Sequence, residues 1–400
     1  MTLTRRPPLV KAITGNSAAA IGAALCKPDV IAAYPITPQS SVVESLAAMI
    51  ANGQLDTTMV QVESEHSAMS VVQGASMAGG RTFTATSGQG LALMYEPYFS
   101  TSTKRLPVVM AIATREMISP VTVWAGQQDA VSVRDAGWIQ VFVENNQEIL
   151  DMIIQAYRIA ENPEVLLPVN VCYDGFYLSH LTERVEIPDG IDVSQFLPEY
   201  KPTHVALDPK HPMAVDPLTQ GEILTEYRRS HLKAMQKALQ VIEQVDVEFE
   251  HQFGRSYGGA VETYLCDDAE LVLVTIGSST GTAREAVDIA RANGKRVGLL
   301  KVRYLRPFPA QRVRDVLKGK KAYAVVDRSV SFGWNTGVLY VEVKAALSEL
   351  GEKICSLPVI GGLGGADISL SDLVKTLGVL EESAKFSSGQ LDTLWLNKYV

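Results

Sequence analysis

Four short polar segments carry the residues best suited to chemistry. They are Tyr34-Pro35-Ile36-Thr37-Pro38-Gln39-Ser40, Glu63-Ser64-Glu65-His66, Thr86-Ser87-Gly88-Gln89-Gly90 and Ala113-Thr114-Arg115-Glu116. In the first, two prolines fix the backbone around Ile36 and Thr37. A rigid loop suits a hydroxyl that must orient a small ligand, and it equally suits a helix start capped by Thr37 or Ser40. In the second, Glu63 and Glu65 alternate around Ser64 and should face opposite ways. Glu65 leads into the small residues Ser67-Ala68-Met69-Ser70. A carboxylate there complements a helix dipole, or it serves as an acid or base if an apolar cleft raises its pKa. Arg115 suits a fork onto a carboxylate substrate, or a pair with Glu116 or Asp129. His66 and His180 are isolated histidines, a type that more often satisfies a hydrogen bond than performs chemistry. Gly277-Ser278-Ser279-Thr280-Gly281 could cradle an anion at a helix start. Gly361-Gly362-Leu363-Gly364-Gly365 admits a close backbone approach. Neither is a dinucleotide fingerprint or a P-loop, and the chain holds no G-x-S-x-G or H-E-x-x-H.

Each of the four segments lies at the end of a strand-like run. Residues 30–34, 58–63, 82–86 and 106–113 read as strands, and 40–51 and 67–78 as helices. Strands near 140–144 and 165–171 and a helix over 147–162 follow. Apolar strands without alternation, separated by helices, predict a parallel sheet covered on both faces. The fold class is therefore α/β, of the doubly wound kind. Ligands of such sheets bind beyond the carboxyl ends of the strands, so four polar strand ends there make a cleft. Residues 271–276, 283–293, 296–301, 322–327 and 337–351 repeat the alternation on a smaller scale. The expected organisation is a first domain over 1–187, a linker arm and long helix over 188–255, and a second α/β domain over 256–400 with a C-terminal tail. Within the linker, 188–217 has weak periodicity and 223–247 is helical. Arm and tail are candidate assembly elements.

The 400 residues are 46% hydrophobic and 20% charged, with 36 basic and 44 acidic side chains, a net charge of −8. That is a globular composition with room for two or three domains. An acidic chain without a basic tract is a poor nucleic-acid binder. The longest apolar runs are strand-sized, far short of a membrane span. Arg5 and Arg6 are followed by Pro7 and Pro8 rather than an apolar run, so no signal peptide is expected. The expectation is a cytoplasmic protein. Cys26, Cys172, Cys266 and Cys355 are far apart and form no C-x-x-C pair. They predict buried thiols without a disulfide, and neither an iron–sulfur cluster nor a metal site in this chain.

At these same segments the sequence resembles the alpha subunit of the multi-subunit 2-oxoacid:ferredoxin oxidoreductases, the pyruvate synthase group. The likeness is carried by Ala33-Tyr34-Pro35-Ile36-Thr37-Pro38-Gln39, Val62-Glu63-Ser64-Glu65-His66-Ser67-Ala68, Thr84-Ala85-Thr86-Ser87 and Gln89-Gly90-Leu91-Ala92-Leu93-Met94. It continues through Gln128-Asp129, Arg134-Asp135, Gly137-Trp138-Ile139-Gln140, Asp174-Gly175-Phe176 and Arg303-Tyr304-Leu305-Arg306-Pro307-Phe308-Pro309. The resemblance implies a thiamine diphosphate pyrimidine-binding domain followed by a transketolase C-terminal-like domain. It implies that Glu65 hydrogen-bonds the cofactor's aminopyrimidine ring and favours the imino tautomer that deprotonates the thiazolium carbon. Thr37 and Arg115 match the family's substrate contacts, with Ile36 and Gln127 beside them. Pro35, Ser87 and Gly88 fall where the family lines the cofactor. The reaction implied is CoA-dependent oxidative decarboxylation of a 2-oxo acid. The Gly-Asp-Gly motif that holds diphosphate and Mg2+ is not found, since Asp174-Gly175 and Asp189-Gly190 lack the preceding glycine. The resemblance therefore implies a beta subunit that supplies the diphosphate and Mg2+ ligands. It also implies gamma and ferredoxin-type subunits that carry 4Fe–4S clusters, with a flavin/NAD subunit as a possible addition. This chain should be inert alone.

Two departures from the pyruvate-acting pattern are visible. The family's Trp-Asn-Asp-His-Gln-Asp reads Trp124-Ala125-Gly126-Gln127-Gln128-Asp129, and its Asn-Arg-Ala-Leu reads Thr114-Arg115-Glu116-Met117. Smaller, uncharged residues at the first segment suggest a roomier pocket for a bulkier acid, such as phenylglyoxylate or a branched-chain 2-oxo acid. Thr37 argues against oxalate, whose relatives carry arginine at that position. The alternatives are a non-oxidative transketolase- or E1-like half, and a scaffold subunit that keeps the fold only.

Overall fold

The computed structural model describes residues 8–386 and 389–397. Part of the expected C-terminal tail, and the segment before Pro8, lie outside the described residues. Two sheets organise the chain. The first has seven strands in the order Tyr304–Arg306, Ile139–Phe142, Val169–Asp174, Val109–Thr114, Thr82–Thr86, Val30–Ala33 and Thr58–Gln61. All neighbours pair in parallel except Tyr304–Arg306, which runs antiparallel to Ile139–Phe142. Strands Thr82–Thr86, Val109–Thr114 and Val169–Asp174 are buried at every residue, as their unbroken apolar runs require of a covered parallel sheet. The second sheet has six strands and is parallel save for Val261–Tyr264 at one edge. The α/β, doubly wound expectation holds for both.

The two sheets share one stretch of chain: strand Tyr304–Arg306 directly follows Val297–Val302 of the second sheet yet closes the edge of the first. The segment reads as a turn because Pro307 and Pro309 follow it, and proline tolerates a sheet only at an edge. A single apolar cluster, with Trp138, Phe142, Leu305, Val338 and Tyr340 among its members, also spans both sheets. Two further elements were not legible. Strand Leu9–Thr14 pairs antiparallel with Thr182–Ile187, and helix Gly15–Leu25 packs behind it. The arm contains the short helix Gly190–Phe196, and the long helix runs Gly221–Phe253. Its buried residues His231, Ala234, Ala238, Val241, Ile242, Val245 and Phe249 recur every three or four positions from 231 onward.

The two domains are locked by a buried ion cluster. Glu148, on helix Asn146–Ala160 of the first domain, is fully enclosed. It accepts from Lys301 Nζ at 2.9 Å and from Arg303 Nε at 2.8 Å, both on the second domain. Lys301 also reaches Glu144 at 2.9 Å, and Arg303 lies over the Tyr257 ring. Burial alone would raise the Glu148 pKa, but the two cations hold it down at about 2. All four cysteines are buried and unpaired with one another.

The substitution Glu148→Gln leaves two cations buried without their anion, and should cost about 3–5 kcal/mol. Because the folded-state pKa lies below the ordinary value of 4.5, this contribution is present above that value and disappears as pH falls through about 2. Urea midpoints of the wild type and the variant should therefore differ widely at pH 5 and converge towards pH 2.

Candidate active site

At the carboxyl end of strand Thr58–Gln61 the chain turns directly into helix Glu65–Met77. Ser64 caps it, its hydroxyl accepting the Ser67 N–H at 3.2 Å. The cap places Glu65 at the first helical position, where it is only 6% exposed. Its carboxylate takes no hydrogen bond from any described residue. Glu63 points the other way, into solvent, where the Ser67 hydroxyl holds its carboxyl below its ordinary range. Helix Gln89–Leu93 starts opposite Glu65. A Cβ at Gly90 would stand 2.6 Å from Glu65 Oε1 and from Thr86 Oγ1. The Thr86 hydroxyl is itself enclosed without a partner. An unpaired buried acid, an unpaired buried hydroxyl and a glycine between them form a cradle for a polar ring.

Arg115 follows strand Val109–Thr114. Its N–H donates to Asp129 Oδ2 at 3.0 Å, and the same oxygen takes the Gly88 N–H at 2.8 Å. The other oxygen takes the Ala130 N–H at 2.7 Å. Asp129 thus ties the Gly88 turn to the Arg115 segment. Burial pushes its carboxyl up to about 7 despite these three donors. The guanidinium crosses the cleft to the Thr37 carbonyl at 2.7 Å and to Gln89 Oε1. Two of its five N–H groups are thereby used and Nε is enclosed without a partner, which leaves two on the terminal nitrogens for a ligand or water. Burial pulls Arg115 below its ordinary pKa, and the Asp129 and Glu65 carboxylates oppose that pull.

Thr37 and Pro35 are exposed and Ile36 is half-buried on the loop after strand Val30–Ala33. The Thr37 hydroxyl has no partner among the described residues, and neither Thr37 nor Ser40 caps a helix. The helix Ser40–Ala51 begins without a side-chain cap, because Gln39 precedes it and donates instead to the Ala85 carbonyl at 3.1 Å. Asn16 anchors the loop at the Pro38 carbonyl, 2.7 Å away. Ser87 gives its hydroxyl proton to the Ala113 carbonyl at 2.6 Å, so only its backbone remains for a ligand.

Gln127 stands apart from this group. Its N–H donates to the Arg328 carbonyl at 3.0 Å and its amide turns to Asp174 at 3.5 Å, in the seam between the domains. The helix it precedes, Gln128–Ser132, packs against strand Val109–Thr114 and helix Gln89–Leu93, and Gln128 Oε1 accepts the Val330 N–H at 2.9 Å. The two glycine-rich loops, 277–281 and 361–365, also face this seam. Ser278 and Arg328 both bind Asp174, the latter at 3.0 Å, and the Gly365 N–H donates to the Ala125 carbonyl at 2.7 Å. His66 is half-exposed near Glu96, and His180 stacks on Phe176. The sequence reading missed Asp129 and Gln89 as site members. Asp129 follows Gln127 and Gln128 in a polar run, and its burial depends on loops remote in sequence. Among the described residues no helix is long and apolar enough to cross a membrane. No group of three or more His, Cys, Asp or Glu among the described residues could hold a metal ion.

The architecture is shared with solved structures. A 2-oxoglutarate:ferredoxin oxidoreductase from Magnetococcus marinus superposes with a TM-score of 0.74 and 21% identity, over 92% of this chain and 65% of that one. A split-gene transketolase superposes with a TM-score of 0.55 and 15% identity, over 92% of this chain and 98% of that one. Together these show that the chain shares the α/β fold of both proteins. The thiamine diphosphate-binding family model of pyruvate flavodoxin/ferredoxin oxidoreductases matches residues 21–247, and the core domain II model of pyruvate:ferredoxin oxidoreductase matches 269–373. The chain belongs to the pyruvate flavodoxin/ferredoxin oxidoreductase family. It is 48% identical to the alpha subunit of NADH-dependent phenylglyoxylate dehydrogenase of Aromatoleum evansii, over 96% of this chain and 94% of that one. It is 48% identical to pyruvate synthase subunit PorA of Methanocaldococcus jannaschii, over 97% of each. Ketoisovalerate oxidoreductase subunit VorA of Pyrococcus horikoshii is 42% identical, over 96% of each.

Gly90→Ala places a methyl group against Glu65 and Thr86 and should weaken thiamine diphosphate binding by the assembled protein about 10-fold or more, on the order of 1.4 kcal/mol. Titration calorimetry measures this, and the melting temperature without cofactor should move little.

Proposed function

We propose that this chain is the alpha-type subunit of a thiamine diphosphate-dependent 2-oxoacid oxidoreductase. The reaction is 2-oxo acid plus CoA to acyl-CoA and CO2, with two electrons passed to iron–sulfur clusters on partner chains. The observation that supports it most is the unpaired, buried Glu65 carboxylate across the Gly90 cradle, with the Arg115 guanidinium on the same cleft. When bound, thiamine diphosphate supplies a carbon nucleophile and an electron sink for loss of CO2. The buried Glu65 carboxyl would share a proton with a ring nitrogen of the bound cofactor. Arg115 offers charge-assisted N–H donors to the carboxylate of the acid. The exposed Thr37 hydroxyl donates to the keto oxygen. Pro35, Gly88 and the Ser87 backbone line the cofactor's side of the cleft. Ile36 lines the acyl chain's side. Gln127, whose amide turns to Asp174, is assigned to the substrate's side of the cleft with Thr37, Ile36 and Arg115.

The remaining parts come from partners: a beta-type chain with the diphosphate and Mg2+ ligands, and gamma and ferredoxin-type chains with 4Fe–4S clusters. A flavin/NAD chain would complete a NADH-forming assembly. The complex is cytoplasmic. A row of rings, Trp124, Phe176 and His180, with successive centroids 4.6 and 4.9 Å apart, borders the Arg115 segment and favours a bulky or aromatic acid over pyruvate.

In the reconstituted complex, Glu65→Gln should lower turnover by about 100-fold or more, the scale of a lost proton-transfer group, with assembly unchanged by size-exclusion chromatography. Unchanged turnover would leave a scaffold role. Arg115→Met should raise the KM for the 2-oxo acid and leave that for CoA unaltered. Turnover of phenylglyoxylate and 2-oxoisovalerate should exceed that of pyruvate, and a strong preference for pyruvate overturns the bulky-acid assignment.

A further inference from the structure

Glu116 is the residue after Arg115, and nothing above gives it a role. Its side chain is folded inward. A Cβ at Gly126 would lie inside contact distance of Glu116 Oε1, Cδ and Cγ, so the carboxyl rests on the Gly126 backbone. That is possible because Arg115 and Ala125 form an antiparallel bridge, which brings positions 116 and 126 face to face. Glu116 Oε1 is enclosed and has no hydrogen-bond partner. The backbone of Gly364, in the glycine-rich loop of the second domain, lies beside the carboxyl and opposes its upward shift. The next N–H of that loop, from Gly365, goes to the Ala125 carbonyl at 2.7 Å.

The charged groups around Glu116 are few. Asp129 faces it from helix Gln128–Ser132, and Arg328 faces it from beyond strand Ala322–Asp327. Arg115 precedes it on its own segment and turns its guanidinium away, to Thr37 and Gln89. Asp129 accepts three backbone N–H groups, which favour its charged form against a burial that pushes it up to about 7. Glu116 Oε1 accepts none. Burial and the Asp129 charge push Glu116 up to about 7. Arg328 is committed to Asp174 at 3.0 Å.

We propose that Glu116 is a positioning residue for recognition of the 2-oxo acid: packed on the Gly126 backbone, beside the glycine-rich loop of the second domain, it holds the Arg115 segment in place. This rests on the function proposed above. Below neutral pH the neutral carboxyl fits its enclosure. As pH rises, its ionisation sets a second negative charge beside Asp129. The packing on Gly126 then loosens, and with it the hydrogen bonds that fix the Arg115 segment.

The test uses the complete complex and measures KM for the 2-oxo acid and kcat between pH 6 and 8.5. In the wild type, KM should rise severalfold across that range while kcat and the KM for CoA change less. Glu116→Gln keeps the shape and the acceptor but cannot ionise, and should flatten the rise. Gly126→Ala drives a methyl into the Glu116 carboxyl and should raise KM about 10-fold at pH 6.5, a loss of roughly 1.4 kcal/mol. Glu116→Ala combined with Gly126→Ala removes the collision and should recover most of that loss. If Glu116→Gln keeps the wild-type pH profile, or the double variant is as impaired as Gly126→Ala alone, the proposal is overturned. A complex that turns over no 2-oxo acid with any variant, wild type included, refutes the function instead.

Discussion

The structure depends on one buried charge arrangement, in which Glu148 of the first domain is gripped by Lys301 and Arg303 of the second. Three ions removed from water are costly unless each finds its partners. Here the partners come from both domains: Glu148 also accepts the Glu144 N–H, and Arg303 donates to the Gly259 carbonyl. Neither domain can withdraw without leaving a charge stranded. The same arrangement sets Tyr304, immediately after Arg303, in position to close the edge of the first sheet. One set of contacts therefore fixes both the orientation of the domains and the end of a sheet.

The consequence reaches the cleft. With the domains locked, the carboxyl-end loops of the second sheet face those of the first. Arg328, Ser278 and Gly364 press on Asp174, Gln127 and Glu116, and these neighbour the segment that carries Arg115 and Asp129. Asp129 converts that pressure into geometry, because one carboxylate oxygen holds both the Gly88 turn and the Arg115 backbone. The second domain contributes no group to the Glu65 cradle. Its effect on chemistry passes through backbone hydrogen bonds to the Arg115 side of the cleft.

The sheet strands of the first domain were legible because burial on both faces leaves an unbroken apolar run, as in Val109–Thr114. The opposite orientation of Glu63 and Glu65 followed from a period of two, and the capping serine between them fixed which one goes inward. Thr37 and Arg115 were legible as types, and the structure brings them to one hydrogen bond. What escaped were features made by distant loops. Strand Leu9–Thr14 is mostly exposed and pairs across more than 150 residues with Thr182–Ile187, so no local periodicity marks it. Strand Tyr304–Arg306 is hidden by the prolines after it. The orientation of Gln127 is decided by Asp174 and Arg328, which no spacing rule connects to it.

Gly126 shows why composition misled about the pocket. Glycine in place of a larger residue reads as added space, and from one segment alone that inference is sound. Space in a packed interior is shared, however, and close packing fills a vacancy from whichever neighbour can reach it. The bridge between Arg115 and Ala125 places Glu116 within reach, and its carboxyl takes the volume. The gain in room at 126 is thus cancelled by the longer side chain at 116. Any preference for a bulkier acid must then come from elsewhere on the rim, and the exposed Trp124 with its neighbour Phe176 is the part of that rim with an apolar surface to offer.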